Sequence, residues 1–356
     1  MESLRPILGL TLRPVEPDTP VNVQYTSGTT GLPKGCVLPH TYWTRLAGSL
    51  ITEFPRLTHK DILLTAQPCH YVDPQWNIVA GLLSGAEVVV LDGFHPTTFW
   101  NAVREHNVTY FYCLGAMPGL LLKQPRDARD RDHVVRLVQC SGIPPALHAE
   151  LEHRWGVPWH EAFGMTETGA DLRVTDADHD ELVGTGCVGG PLPDREVRVV
   201  DGELRLRGPG MMSGYHAVDN PFDDGWFRTG DLARLDQAGR VYLVGRLKDM
   251  IRRSGENVAA REVEDVLLTH PDVRLVAVTS VPDDLRGEEV KAHVVGIRDP
   301  DALAAYCLER LAPFKVPRYW EFRDDLPRTP SERVAKHQLN EQTAATYDRV
   351  NGRWSA

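Results

Sequence analysis

The stretch Tyr25-Thr26-Ser27-Gly28-Thr29-Thr30-Gly31-Leu32-Pro33-Lys34-Gly35 packs three glycines, four aliphatic hydroxyls and one lysine into eleven residues, directly after a short β-branched run. Glycines let backbone N–H groups converge on one point, the hydroxyls donate further hydrogen bonds, and Lys34 adds a point charge on a flexible stem. Such a loop fits a polyphosphate. The plainer reading is a flexible Ser/Gly linker, and the apolar strand before it, with Pro33 and Lys34 inside it, speaks against that. It is not the GxxxxGK[ST] loop, because Gly35 follows Lys34 where a hydroxyl is required.

Working outward, residues 21–25, 62–67, 87–91, 108–112 and 137–140 read as strands, and 40–50, 97–105 and 145–155 carry helical spacing. This alternation predicts an α/β layer with parallel strands. After residue 182 the texture changes. The runs 196–200 and 203–207 flank an Asp201-Gly202 turn, and 232–235 and 241–244 flank a turn at Gly239, so hairpins are expected. Beyond Lys248, helical spacing at 261–268 and 301–311 and strands at 275–280 and 291–297 predict a compact α+β lid. The expected division is an α/β nucleotide- and acyl-binding core over 1–180, a β-rich subdomain over 181–247, a mobile lid over 248–345, and a flexible tail over 346–356.

The chain has 356 residues, enough for about two domains with a substantial core. Its 39 basic and 49 acidic residues leave a net charge of −10, which disfavours sequence-independent nucleic-acid binding and favours small-molecule chemistry. The six cysteines form no CxxC pair, so neither a zinc site nor a disulfide framework is expected, and a reducing cytoplasmic compartment fits. The most apolar stretch, 78–91, is broken by Ser84, Gly85 and Glu87 and is too short to span a bilayer. The first residues have no secretory-signal pattern. Neither a membrane nor a nucleic-acid partner is expected.

The loop at 25–35 resembles the phosphate loop of the adenylate-forming superfamily, which includes acyl-CoA synthetases, luciferase-like enzymes and peptide-synthetase adenylation domains. Three more segments agree in order. Phe163-Gly164-Met165-Thr166-Glu167 resembles the family's aromatic-GMTE motif. Gly225-Trp226-Phe227-Arg228-Thr229-Gly230-Asp231 resembles its TGD motif, and Gly245-Arg246-Leu247-Lys248-Asp249 with Ser254-Gly255-Glu256-Asn257 resembles its hinge and the loop that follows. The four matches run across nearly the whole chain.

The resemblance implies a fold and a set of roles. Thr26, Ser27, Gly28, Thr29, Thr30, Gly31 and Lys34 would hold the phosphates of ATP. Glu167 would ligate Mg²⁺, with Thr166 beside the phosphates, because a divalent ion must screen ATP before a carboxylate can approach it. Asp231 and Arg246 would face the ribose, and Gly142, Glu161, Ala162 and Phe163 would frame the adenine. Lys248 would be the hinge of the lid, and Gly255 would lie on the lid face used with coenzyme A. The segment Pro68-Cys69-His70-Tyr71-Val72-Asp73-Pro74-Gln75 resembles that of crotonobetaine/carnitine-CoA ligases and makes His70 and Asp73 candidates for the acyl site. A core histidine and a helix cap are the plainer readings of these two.

Two departures qualify the resemblance. Only 24 residues precede Tyr25, so the expected fold lacks the family's usual first subdomain of about 150 residues. Three explanations are open: a fragment, a shortened member, or a chain completed by a partner chain. In the tail, the family ends PRTxSGK, whereas this chain reads Pro327-Arg328-Thr329-Pro330-Ser331-Glu332-Arg333-Val334-Ala335-Lys336. Arg333 stands where the family has its adenylating lysine, and the swap is not conservative. Two outcomes stay open, a weakened adenylation or the use of Lys336 instead. The expected activity is activation of a small carboxylic acid by ATP and transfer to a thiol, coenzyme A first. Transfer to a carrier protein or an amine is the second reading, and a non-catalytic nucleotide-binding homologue the third.

Overall fold

The computed structural model describes residues 14–26, 34–217, 221–328, 334–339 and 345–355. Five parallel strands form the centre of the α/β layer in the spatial order Trp159–Met165, Leu137–Ser141, Tyr110–Leu114, Ile62–Thr65 and Glu87–Val90. The predicted helices appear as His40–Thr52, Phe99–Glu105 and Pro145–Trp155. A further helix, Val72–Ser84, is not among those predicted. It ends at Gly85, whose φ of 73° lies in the left-handed region that glycine enters without penalty, and the chain then turns into the strand Glu87–Val90. The apolar run 78–91 is therefore a helix end, a cap and a strand in succession.

The β-rich region does not form a sheet of its own. Strand Trp159–Met165 turns back antiparallel into Gly169–Arg173. The ladder then continues through Cys187–Pro191, Val241–Arg246, Trp226–Leu235, Glu203–Arg207 and Glu196–Val200. Both predicted hairpins lie in this extension, and among the described residues the joined sheet counts twelve strands.

Strand Pro20–Thr26 corrects one expectation. It pairs antiparallel with Lys34–Pro39, with Thr26 opposite Lys34, in a separate three-stranded sheet completed by Gly214–Tyr215. The seven residues between Thr26 and Lys34 are too few for a parallel crossover, which takes a dozen or more. The segment 27–33, with Ser27, Gly28, Thr29, Thr30 and Gly31, lies outside the described residues, as does Arg333.

After Arg246 a single 3₁₀ turn, Leu247–Asp249, leads into the lid. Its seven-stranded sheet centres on the long hairpin Val273–Asp283 and Gly287–Gly296. Helix Ala260–Leu268 lays Ala260, Val263 and Leu267 onto that sheet, the i, i+3, i+7 spacing of one helix face. Helix Pro300–Leu308 starts at Asp299, whose side chain accepts from the Asp301 and Ala302 backbone N–H groups. The tail departs from expectation. Strands Tyr347–Asp348 and Arg353–Trp354 form a hairpin on Tyr319–Arg323, and Thr346 is buried. The Trp354 ring packs against Phe322 of the lid sheet and against Tyr347 within the hairpin, and Arg318 pairs with Asp348 at 3.0 Å.

Candidate active site

A cavity of about 820 Å³ opens where the central sheet, the small antiparallel sheet and the lid meet. It gathers residues far apart in sequence: Thr26, Lys34, Asp73, Gly142, Ala162, Phe163, Thr166, Glu167, Asp231, Arg246, Lys248 and Lys336 all line it.

The Thr166–Glu167 corner is built by a tight reversal between strands Trp159–Met165 and Gly169–Arg173. A Cβ on Gly164 would sit 2.1 Å from the Gly169 carbonyl oxygen, so only glycine allows this approach. Behind the corner, fully buried Asp171 pairs with Arg195 at 2.7 Å and receives the Thr168 hydroxyl. Glu167 accepts a hydrogen bond of 2.9 Å from the Tyr215 hydroxyl, and the Lys34 ammonium stands 5.1 Å from the centre of the Tyr215 ring. Burial, and then Glu167, raise the Tyr215 phenol pKa well above its ordinary value, so it remains a donor. Sequence reasoning missed Tyr215. It lies 48 residues from Glu167 in a two-residue strand, and its only signal is the fold that pairs it with Cys36.

Asp231 and Arg246 are Cα partners on adjacent strands and meet through Nε and Oδ1 at 2.8 Å. The Thr229 hydroxyl accepts from the Asp231 N–H at 3.0 Å and donates to the Leu204 carbonyl at 2.7 Å, which fixes the irregular stretch before the aspartate within strand Trp226–Leu235. Lys248 lies in the 3₁₀ turn at the lid entry, where burial lowers its pKa against the opposing pull of Asp249. Lys336 reaches the cavity from the tail, with its Nζ 2.7 Å from Glu264 and 3.7 Å from Asp249. Burial works against the Lys336 charge, but Glu264 and then Asp249 outweigh it and raise the pKa. Glu264 also accepts the Val278 N–H at 2.7 Å, so the lysine docks on a fixed carboxylate.

Three expected site residues stand elsewhere. Glu161 does not line the cavity. Its side chain is buried beneath the loop after strand Leu137–Ser141 and accepts the N–H groups of Gly142 at 3.2 Å and Ile143 at 2.7 Å. It therefore shapes the Gly142 turn from behind, and burial raises its pKa to about 8. His70 is exposed, with its ring against Tyr71, and its carbonyl receives Gln24 at 2.6 Å; the loop turns the side chain away from the cavity. Gly255, with a φ of 85°, occupies the tip of the lid hairpin between Met250–Arg253 and Glu256–Ala259, off the cavity wall. Asp73 does line the cavity, from the first turn of helix Val72–Ser84, whose cap is Tyr71.

Outside the cavity, His148, Glu152 and His179 cluster with metal-ligand spacing. Most of their polar atoms are already engaged, His179 Nδ1 being buried without a hydrogen-bond partner. His148 spans the Trp159 carbonyl at 2.6 Å and the Gly184 N–H at 3.2 Å, while Glu152 takes the Trp159 N–H at 2.7 Å and His179 at 2.8 Å. The cluster pins the start of strand Trp159–Met165. No helix among the described residues is long and apolar enough to cross a membrane.

Comparison with known proteins agrees with this geometry. The family model described as AMP-binding enzyme matches residues 5–216, and that of the AMP-binding enzyme C-terminal domain matches 262–333. The sulfoacetate–CoA ligase of Cupriavidus necator is 33% identical over 92% of this chain and 68% of its own length. The crotonobetaine/carnitine–CoA ligase of Salmonella arizonae is 31% identical over 95% of this chain and 70% of its own. Among solved structures, the o-succinylbenzoate CoA synthetase MenE of Bacillus subtilis, in complex with its acyl-adenylate intermediate, superposes with a TM-score of 0.81. It is 29% identical and matches 92% of this chain and 70% of that one. The same enzyme is also known with ATP and magnesium, again at a TM-score of 0.81. The chain belongs to the AMP-binding enzyme family and has its α/β adenylate-forming fold.

Proposed function

We propose that the protein is an acid–thiol ligase that uses ATP to activate a small carboxylic acid and then transfers the acyl group to coenzyme A. The observation that carries this reading is one cavity holding an anion-binding lysine, a carboxylate–hydroxyl pair, a ribose-type acceptor and two lid lysines.

In the first half-reaction a carboxylate oxygen of the acid attacks the α-phosphorus of ATP, pyrophosphate leaves, and an acyl-adenylate forms. Lys34 and Thr26, at the two ends of segment 27–33, hold phosphate oxygens. Glu167 would present the hard carboxylate oxygen that Mg²⁺ takes, with Thr166 beside the phosphates, and the ion, when bound, would offset the charge of the triphosphate. Tyr215 fixes the Glu167 carboxylate for that task. Asp231 accepts from the ribose hydroxyls, oriented by Arg246. Lys336 supplies the positive charge that steadies the incoming carboxylate and the α-phosphate as they approach.

In the second half-reaction the thiol sulfur attacks the acyl carbonyl carbon, AMP leaves as the carbon–oxygen bond breaks, and the thiol proton is lost to solvent. Gly255 and Arg252 stand off the cavity in the present lid orientation. The lid therefore turns about the Leu247–Asp249 segment to bring that face in, excluding water from the adenylate in each pose.

The test is an assay of acid-dependent pyrophosphate release, followed by CoA-dependent release of AMP. Glu167→Gln should lower pyrophosphate release at least 100-fold. The finer proposals are a carrier-protein thiol or an amine as acceptor, and a partner chain that closes the acyl side of the cavity. In the same assay these would appear as adenylate formation without CoA transfer, or as activity restored only by a second protein. No pyrophosphate release with any acid would leave the chain a nucleotide-binding homologue.

A further inference from the structure

One part of the cavity lies between helices His40–Thr52 and Val72–Ser84 and is walled by Leu46, Leu50 and Trp76. Polar side chains interrupt this apolar wall: Arg173 and Gln139 from the sheet, the Tyr42 and Tyr112 hydroxyls, and the Asp73 carboxylate at the start of the second helix. Strand register places Arg173 and Gln139 on one face of the sheet, with strand Trp159–Met165 between them. Gln139 is opposite Tyr112 on one side and His160 on the other, Ala162 lies two residues beyond His160, and Ala162 is opposite Arg173. Because side chains alternate along a strand and cross-strand partners share a face, Tyr112, Gln139, Ala162 and Arg173 all project from the same side of the sheet.

Both groups have unspent donors. Arg173 is 5% exposed, and its guanidinium donates to the Phe54 carbonyl at 2.6 Å and the Ser49 hydroxyl at 2.7 Å, both uncharged. No carboxylate among the described residues forms an ion pair with it. Asp171 is held by Arg195, and the other acid that bears on it, Glu53, has its own carboxyl pKa raised, first of all by burial. Gln139 is 1% exposed; its Oε1 accepts from the Tyr110 hydroxyl at 2.7 Å, which leaves Nε2, a buried donor, without a partner. Arginine keeps its proton, and a buried cation whose direct hydrogen-bond partners are all neutral is costly unless an anion completes it.

We infer that Arg173 and Gln139 form a subsite for a second anionic group on the acyl substrate, so that the preferred acids carry a carboxylate or sulfonate at the end remote from the one activated. This rests on the ligase reading above. One carboxylate goes to the phosphates and lid lysine, the other end to the guanidinium and the Gln139 amide, and the apolar wall holds the short carbon segment between them. Removing the subsite would cost binding of diacids while leaving the geometry of activation alone.

The experiment compares acids matched in length, with and without a terminal anion: succinate and 3-sulfopropanoate against butanoate. Wild-type kcat/KM, from pyrophosphate release, should favour the dianions at least tenfold. Arg173→Met and Gln139→Leu should each collapse that ratio, and Arg173→Lys should retain part of it. Arg173 also tethers Phe54 and Ser49, so the melting temperature of each variant is measured. If Arg173→Met does not fold, Gln139→Leu and Arg173→Lys decide. Thermal-shift titration with the same acids reads binding without turnover. Succinate stabilising the wild type more than butanoate, with the difference lost in the variants, supports the subsite even if no acid is adenylated, in which case the ligase reading alone fails. Equal responses to butanoate and the dianions, or a preference indifferent to both substitutions, would overturn the inference.

Discussion

Asp231 and Arg246 meet across neighbouring antiparallel strands, Arg246 donating through Nε to Oδ1 at 2.8 Å and through Nη2 to Oδ2 at 3.4 Å, and Thr229 braces the backbone beneath the aspartate. The acceptor is thus positioned before any nucleotide arrives. Asp231→Ala should weaken ATP binding about tenfold, or roughly 1.4 kcal/mol, by titration calorimetry. Unchanged affinity would remove the ribose role.

Lys336 docks on Glu264 inside the cavity, while Arg333 lies outside the described residues. Lys336→Ala should lower acid-dependent pyrophosphate release by roughly 100-fold, the scale of losing one positioned charge at a developing anion. A preformed acyl-adenylate should bypass the defect, because thiol transfer, as proposed above, uses the other lid face. Substituting Arg333→Lys is the control. A gain there, with Lys336→Ala silent, would return the role to position 333.

The lid is connected through one short 3₁₀ turn and clasps the body through Lys123, whose Nζ donates to the Val273 and Arg274 carbonyls. Limited proteolysis should cut near Lys248, and ATP should change the rate. Resistance that ignores ligand would count against lid rotation.

Glu161 holds the Gly142 turn and has its carboxyl pKa raised to about 8 by burial, from an ordinary 4.5. Between those two values the folded chain binds the proton and the unfolded chain does not, so this group's stabilising contribution is full below pH 4.5 and falls as pH rises toward 8. Glu161→Gln should flatten that part of the stability–pH curve, measured by denaturant unfolding at pH 5, 6, 7 and 8.

Gly164→Ala drives a methyl group to 2.1 Å from the Gly169 carbonyl oxygen, and backbone cannot yield there as a side-chain tip would. A loss of about 1–3 kcal/mol is expected in denaturant unfolding, together with loss of adenylation as the Thr166–Glu167 corner shifts.

Much of this site was legible because its residues sit in short runs whose composition has a local cause. Gly164 with the hydroxyl of Thr166 near it, and the bulged Thr229-Gly230-Asp231 segment, each advertise a backbone shape, whereas Gly28 and Gly31 lie outside the described residues. What could not be read depends on long-range pairing. Tyr215 gains its role only when Gly214–Tyr215 adds to Lys34–Pro39, and strand Pro20–Thr26 reads the same whether it joins a parallel layer or a hairpin. Glu161 shared the motif's strand but faces inward, a question of side-chain direction that the motif does not encode. The tail at 346–355 has no apolar period because two-residue strands are too short to display one, and its order comes from Trp354 and Asp348 meeting the lid.

The continuous ladder from Glu196–Val200 to Glu87–Val90 also bears on how such a protein can be re-engineered. Glu167, Asp231 and the Arg173–Gln139 floor all hang on one hydrogen-bonded plate, so a cut anywhere inside it would separate strands that hold each other's register. Among the described residues, a narrow neck lies at 247–249. If the proposed roles hold, exchange with another family member at that neck would swap the acceptor half of the chemistry as a cassette, leaving acid selection with the parent that contributed the plate.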